Sequence, residues 1–298
     1  MKKTLMLITL FVVSLSVGCN FVQADTNLSC GKTLSKGSKG EQVKILQQKL
    51  NSSTSCNLEA DGSFGSKTAW CVKKFQKDNN LTVDGKVGPA TCRKVNSSSN
   101  TAKQYTLVKV KNSTGANIRK SPNTSSDIYE DAPKGTLFKV ISSTTVSGKT
   151  WYKIKYKNSY AYVHGNMVSK INVKDGIVLT ITEQNLELFR NGKRKLNVPV
   201  VTGNKAKEHD TPTGQYSVGY KDKNLHLPKY NADVDYWITF KGNNYGFHDA
   251  KWRSGSQLAN EETYLKNGSH GCVNMFLEDA KYLYNNTYGG MGVYILNY

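Results

Sequence analysis

Four cysteines crowd into the stretch from Cys30 to Cys92 of this 298-residue chain, and they limit what that stretch can fold into. Paired as two disulfides, they suit a small domain whose apolar core is too thin to hold itself together. Disulfides persist outside the reducing cytosol, and the N-terminus reads as an export signal. Lys2 and Lys3 precede the uncharged run Leu5 to Val17, and Val22-Gln23-Ala24 offers small residues for cleavage, so residues 1–24 read as a signal peptide. The apolar run is short for a stable membrane span. Lipidation at Cys19, in Ser16-Val17-Gly18-Cys19, is the alternative; Ser16 stands where such motifs usually carry Leu. The mature chain then keeps one cysteine outside the cluster, Cys272. A lone thiol retained in an exported protein points to reactivity.

The hydrophobic pattern divides the chain into three units. Val43, Leu46 and Leu50 recur at helical spacing, and Val72, Phe75 and Gln76 repeat it. Asp61-Gly62-Ser63-Phe64-Gly65-Ser66-Lys67-Thr68 returns as Asp84-Gly85-Lys86-Val87-Gly88-Pro89-Ala90-Thr91. Each copy reads as an Asp-Gly turn leading into a helix, so residues 30–95 make a small three-helix unit. Its four cysteines allow three pairings; helix placement leans towards Cys56–Cys71 and Cys30–Cys92. A flexible linker follows at 96–104, opening on the polar run Asn96-Ser97-Ser98-Ser99-Asn100-Thr101. Over 105–170 the period becomes that of strands, around Leu107, Val110, Leu137 and Trp151 to Tyr156, with Trp151 read as core. The third unit, 173–298, has strand-like runs at 177–181, 186–189, 216–218 and 293–296, an Asn191-Gly192 hairpin turn and one amphipathic helix at 277–284.

The formal charge of +19, mostly from Lys, suggests a polyanionic neighbour. No nucleic-acid recognition motif accompanies it, and export argues against such a partner. Neither a His-Glu-x-x-His nor a Cys-x-x-Cys pattern occurs, so no metal or cofactor is expected. Ser29-Cys30-Gly31-Lys32 matches Ser-x-x-Lys formally, but no Lys-Thr-Gly accompanies it.

The chemistry gathers at Gly268-Ser269-His270-Gly271-Cys272-Val273-Asn274, with His248-Asp249-Ala250-Lys251-Trp252-Arg253 upstream. A thiol attacks as the thiolate, so a neighbour must take its proton. No histidine follows Cys272, so the base lies upstream, and His248 is the candidate. Gly271 lets the backbone come close to a substrate carbonyl, where N–H groups around Gly271 and Cys272 would hold a developing oxyanion.

These blocks resemble the L,D-transpeptidases of bacterial cell walls. The likeness rests on Ser269 to Asn274 without a gap, on His248-Asp249-Ala250-x-Trp252-Arg253, and on Val201-Thr202-Gly203 and Thr211-Pro212-Thr213-Gly214. The first unit resembles a peptidoglycan-binding domain through Leu46-Gln47, Phe75-Gln76 and the two Asp-Gly blocks, with four cysteines as a departure. The second resembles the bacterial SH3-type domain through Asn117 to Pro122, Pro133 to Thr136 and Ala161-Tyr162-Val163. The resemblance implies a multidomain chain: a three-helix peptidoglycan-binding domain, a small SH3-like β-barrel, and a β-rich, sandwich-like catalytic domain. It further implies that Cys272 forms a thioester with the third residue of a peptidoglycan tetrapeptide stem, releases D-Ala, and passes the acyl group to an amine of a neighbouring stem. His248 would be the base, with Ser269, His270 and Gly271 completing the catalytic loop. Trp252, Arg253, Asn274 and Tyr264 would touch substrate. An L,D-carboxypeptidase or an inactive wall-binding protein are the alternatives. The partners expected are stem peptides and wall polymers, with the first two units holding a secreted enzyme on the wall.

Overall fold

The computed structural model describes residues 27–98, 105–157 and 159–298. The signal-peptide segment, Cys19 and most of the expected linker therefore lie outside the described residues.

The first unit is helical: α1 (Glu41–Thr54), α2 (Ser66–Asp78) and α3 (Pro89–Ser97). Each helix starts directly after a glycine, and Pro89 opens α3 where a missing N–H costs nothing. α3 runs on through Ser97, so the linker expected from Asn96 begins later. Val43, Leu46, Leu50, Val72 and Phe75 bury together, as their spacing requires. The internal repeat has a shared cause. Gln47 Nε2 donates to Asp61 Oδ1 at 2.8 Å, and its Oε1 accepts from Gly62 N at 2.9 Å. Gln76 does the same to Asp84 Oδ1 at 2.8 Å and Gly85 N at 2.9 Å. Each Asp-Gly turn is thus latched by one buried glutamine whose polar atoms would otherwise be stranded. Cys30–Cys92 and Cys56–Cys71 are disulfides, each worth about 2–4 kcal/mol in a core this small.

The second unit holds β1 (Tyr105–Val110), β2 (Ala116–Arg119), β3 (Ile128–Ala132), β4 (Leu137–Val146), β5 (Lys149–Tyr156), β6 (Ser159–His164) and β7 (Val168–Val173). They hydrogen-bond in the order β3-β2-β6-β5-β4-β1-β7. Among the described residues no pairing joins β3 to β7, so the sheet is not the closed barrel expected. Four of the five β3 residues are exposed, Ile128 and Tyr129 among them, so that edge strand is left uncovered. Trp151 is buried, edge-on to His164.

The third unit has two sheets. β10 (Lys193–Pro199), β9 (Asn185–Arg190), β8 (Gly176–Thr180), β16 (Gly292–Leu296) and β11 (Gly214–Ser217) form one, in that order. β12 (Lys221–Leu227), β13 (Ala232–Lys241), β14 (Tyr245–Asp249) and β15 (Val273–Met275) form the other. One apolar core, including Ile177, Leu188, Phe247, Val273 and Ile295, joins both sheets to α6 (Leu277–Asn286). Short helices α4 (Gly255–Leu258) and α5 (Thr263–Asn267) lie in the loop between β14 and β15.

The units are packed together rather than strung on a tether. Tyr105 meets Phe189 and Phe138 meets Tyr298, so the second and third units share an apolar core. The first unit docks through polar groups. Lys67 Nζ lies 2.6 Å from Asp279 Oδ1, Asn57 Nδ2 donates to the same oxygen at 2.7 Å, and Asn197 N donates to Ser55 O at 2.8 Å. Lys74 and Lys77 both reach Glu183. The docking residues Ser55 and Asn57 flank Cys56, so the Cys56–Cys71 disulfide stiffens the loop that makes these contacts.

Candidate active site

Parallel pairing of β14 with β15 builds the site. Its register sets His248 opposite Asn274, and Cys272 immediately precedes β15. Isolated bridges, Val201 to Asn274 and Gly203 to Ser269, tie the cysteine loop to the 201–203 segment, which accounts for that block in the sequence. A Cβ at Gly203 would lie 1.8 Å from His209 O, so the backbones there can approach only with glycine. Gly271 has φ +109°, and a Cβ would stand 2.6 Å from the Tyr245 ring. Thr211 Oγ1 accepts from Gly203 N and donates to Gly271 O, both at 2.9 Å, joining the loops by a single hydroxyl.

Cys272 is 6% exposed, packed with Val234 and Trp237. Its thiol donates to Asn244 O at 3.6 Å. Burial pushes the thiol pKa above its ordinary value, so the resting group carries its proton. His248 is 3% exposed, stacked on Trp237 with ring centroids 5.5 Å apart, and 5.9 Å from the Trp252 ring. Its Nδ1 lies 2.8 Å from Asp249 O, and its Nε2 lies 3.1 Å from Asn274 Nδ2. A carbonyl only accepts, so Nδ1 carries the hydrogen and Nε2 is the lone-pair nitrogen. Burial lowers the imidazole pKa; the Asp249 carbonyl and charge oppose that shift and Arg253 adds to it. Asp249 orients the base through its backbone, while its carboxylate Oδ1 accepts from Asp235 N and Tyr236 N and so pins β13.

Ser269 Oγ donates to Cys272 O at 2.5 Å and accepts from Gly271 N at 3.0 Å, so the Gly271 N–H expected near an oxyanion is bonded within the loop. His270 is exposed, and its ring lies against His209 at 4.7 Å and Tyr230 at 4.9 Å. Arg253 donates through Nε to Asn274 and through Nη1 to Asn267 O, each at 2.8 Å. Trp252 is 52% exposed. Tyr264 is half-buried beside Val201, Ala250 and Leu258 and does not line the groove. That groove, about 1250 Å³, runs past Cys272, His248, Trp252, Arg253 and His270, with Lys207 and Lys266 on its walls.

Sequence reading missed Thr211, His209 and Tyr230 as parts of this site. Thr211 belongs to a block already noted. The two rings reach His270 from loops remote in sequence, so no local signal marks them. His164 stays in the second unit, and His226 pairs with Asp233. Among the described residues no group of three or more His, Cys, Asp or Glu is arranged to hold a metal ion. No described helix is long and apolar enough to cross a membrane.

Residues 174–295 match the family model of the L,D-transpeptidase catalytic domain. The chain carries an L,D-transpeptidase catalytic domain. Residues 39–95 match the putative peptidoglycan binding domain and residues 114–169 the bacterial SH3 domain. Among curated proteins, the chain is 43% identical over 65 residues to a zinc D-Ala-D-Ala carboxypeptidase of Streptomyces albus G, covering 21% of this chain and 26% of that one. It is 40% identical over 70 residues to an N-acetylmuramoyl-L-alanine amidase of Bacillus licheniformis, covering 23% and 19%. The chain therefore spans about a quarter or less of the length of these two relatives. Among solved structures, an L,D-transpeptidase from Xylanimonas cellulosilytica aligns with TM-score 0.49 and 18% identity over 89% of this chain and 97% of that one. An L,D-transpeptidase from Stackebrandtia nassauensis aligns with TM-score 0.36 and 21% identity over 88% and 94%. The transpeptidase domain contains every residue of the Cys272 and His248 site described above.

Proposed function

We propose that the chain is a secreted cell-wall L,D-transpeptidase, with residues 1–24 as its export signal and units at 30–95, 105–170 and 173–298. In this reading Cys272 Sγ attacks the carbonyl of the third residue of a stem tetrapeptide, and its proton passes to His248 Nε2. The Sγ–C bond forms, the bond to terminal D-Ala breaks, and the imidazolium returns its proton to the leaving amine. An amine of a second stem then attacks the thioester, gives a proton to His248, and releases the thiolate, which is reprotonated. Splitting one acyl transfer in two is the gain of covalent catalysis.

The observation that carries this reading is the Nδ1 bond to Asp249 O, which leaves Nε2 as the lone-pair nitrogen of a histidine that lines the same groove as Cys272. The raised thiol pKa supports activation on substrate binding rather than a standing thiolate. Ser269 and Gly271 shape the loop, and Cys272 N–H is left as the oxyanion donor of the expected pair. His270, with His209 and Tyr230, forms a groove wall. Trp252 lies open to the substrate. The peptidoglycan-binding and SH3 units hold the enzyme to stem peptides and wall polymers.

Incubation with a purified stem tetrapeptide and an amine acceptor, followed by mass spectrometry, tests the reading. A cross-linked dimer and loss of D-Ala are expected. Cys272→Ala should abolish both, and His248→Ala should slow acylation about 10²–10⁴-fold. Release of D-Ala without any dimer would assign a carboxypeptidase instead. Product formation by Cys272→Ala would refute the nucleophile.

A further inference from the structure

Arg253 belongs to the block that sequence reading assigns to substrate contact; it lines the groove, and its bonds go to neighbouring protein groups. Nε donates to Asn274 Oδ1 and Nη1 to Asn267 O. A guanidinium has donors only, so Asn274 must turn its oxygen towards Arg253. The other end of the amide then faces His248 Nε2 at 3.1 Å. An amide NH2 donates and does not accept, so the nitrogen it meets must offer a lone pair. On the opposite side of the ring, Nδ1 meets a carbonyl. Donation therefore runs one way through four groups, from Arg253 to Asn274, from Asn274 to His248, and from His248 to Asp249 O.

We propose that Arg253 is a positioning residue that acts through Asn274, setting the amide so that His248 is held as the Nδ1–H tautomer with Nε2 unprotonated. Without Arg253, the Asn274 amide is free to turn its oxygen to Nε2, which favours a proton there. That is either the wrong tautomer or the imidazolium, and neither can accept a proton from Cys272. The inference draws on the acyl-transfer reading only in naming this nitrogen as the acceptor.

The surroundings agree. On the β13 side the ring meets Trp237; of the acids on that strand, Asp233 pairs with His226 and Asp235 with Lys251. On the other side it meets Trp252. Among the described residues, Asp249 is the anion acting on His248, with its Oδ1 already accepting from two backbone N–H groups, and Arg253 is the cation acting on it. From the β15 side comes the neutral Asn274 amide. A proton on Nε2 would face an amide donor backed by a guanidinium.

The test is NMR of the full chain carrying ¹⁵N-labelled histidine, without substrate. Wild type should show His248 as the Nδ1–H tautomer with a titration midpoint below the ordinary histidine value. Arg253→Ala and Arg253→Gln should raise that midpoint by about one unit and populate the Nε2–H form. Arg253→Lys, which keeps a donor cation, should recover part of the shift. Asn274→Asp offers only acceptors and should place a proton on Nε2 at neutral pH even if the Arg253 variants fold poorly. Acylation by a stem tetrapeptide should shift to higher pH in Arg253→Gln, with KM changed less than about twofold. An unchanged tautomer and midpoint in folded Arg253 variants would overturn the proposal, as would a raised KM with unchanged spectra. Because the spectra need no substrate, a wild type inactive on stem peptides would count against the acyl-transfer reading and leave this one standing.

Discussion

Replacing Lys67 by Met strands a buried carboxylate between two units. Asp279 is fully buried on α6; its Oδ1 accepts from Lys67 Nζ at 2.6 Å and Asn57 Nδ2 at 2.7 Å, and its Oδ2 has no hydrogen bond among the described residues. Burial pushes this carboxyl above the usual range, and Lys67, only 16% exposed, is the main group holding it down. Breaking a buried pair by removing one partner costs about 3–5 kcal/mol. Asp279 has one escape, which is to take up a proton. Holding that proton costs about 1.4 kcal/mol for each pH unit by which the solution exceeds the carboxyl's free pKa. In the variant the folded-state pKa is raised further above the unfolded one. Folding then binds a proton, and stability rises as pH falls towards the unfolded value. The loss should therefore be about 3–5 kcal/mol at pH 8 and smaller at pH 6. Urea unfolding of wild type and Lys67→Met at both pH values measures it. Equal losses at the two pH values, or a loss below about 1 kcal/mol at pH 8 as for a surface pair, would refute the reasoning and with it the docked arrangement. Pairing Lys67→Met with Asp279→Leu should recover most of the loss, since an apolar replacement of a buried pair is often neutral.

Other outcomes follow from the same geometry. Cys272 should react slowly with a neutral alkylating agent at pH 7 in the absence of substrate, and faster as pH rises, because burial holds its proton; mass-spectrometric time courses across pH read this, and rapid neutral alkylation contradicts it. Burial alone would raise Glu183, but Lys74 and Lys77 outweigh it and hold the carboxyl below the usual range. Its stabilising effect is present above the ordinary Glu pKa and is lost as pH falls through the depressed folded value. Lys74→Ala with Lys77→Ala should therefore destabilise at pH 7 and much less at pH 3, as measured by thermal unfolding. Gly271→Ala should cost about 1–3 kcal/mol through its positive φ and push into Tyr245, so acylation should fall even where the fold survives.

Much of this protein is local and was legible in the residues. The three helices, the Asp-Gly turns and the lone free thiol were legible because they depend on short spacings and a cysteine count, and side chains three, four or two apart share a face whatever surrounds them. The disulfides also followed, since helix placement had put Cys56 near Cys71 and Cys30 near Cys92. The glutamine latches on the repeat were not legible, because a helical glutamine reads alike whether it is buried or wet. The start of the linker and the closed barrel were over-read. A polar run does not reveal that its first residues continue a helix, and strand alternation does not reveal whether the two end strands meet.

Tertiary structure alone decided what the reactive groups touch. His248 faces Asn274 because β14 and β15 pair in parallel across 26 positions. Asp279 meets Lys67 across 212 positions, and Thr211 holds Gly271 across 60. The charge of Arg253 is visible in sequence, but its bonds to Asn274 and Asn267 are not. Which nitrogen of an imidazole carries a proton, and whether burial outweighs a neighbouring charge, is set by distance and by the exclusion of water. Both depend on which segments pack together, and no local window of the chain contains that.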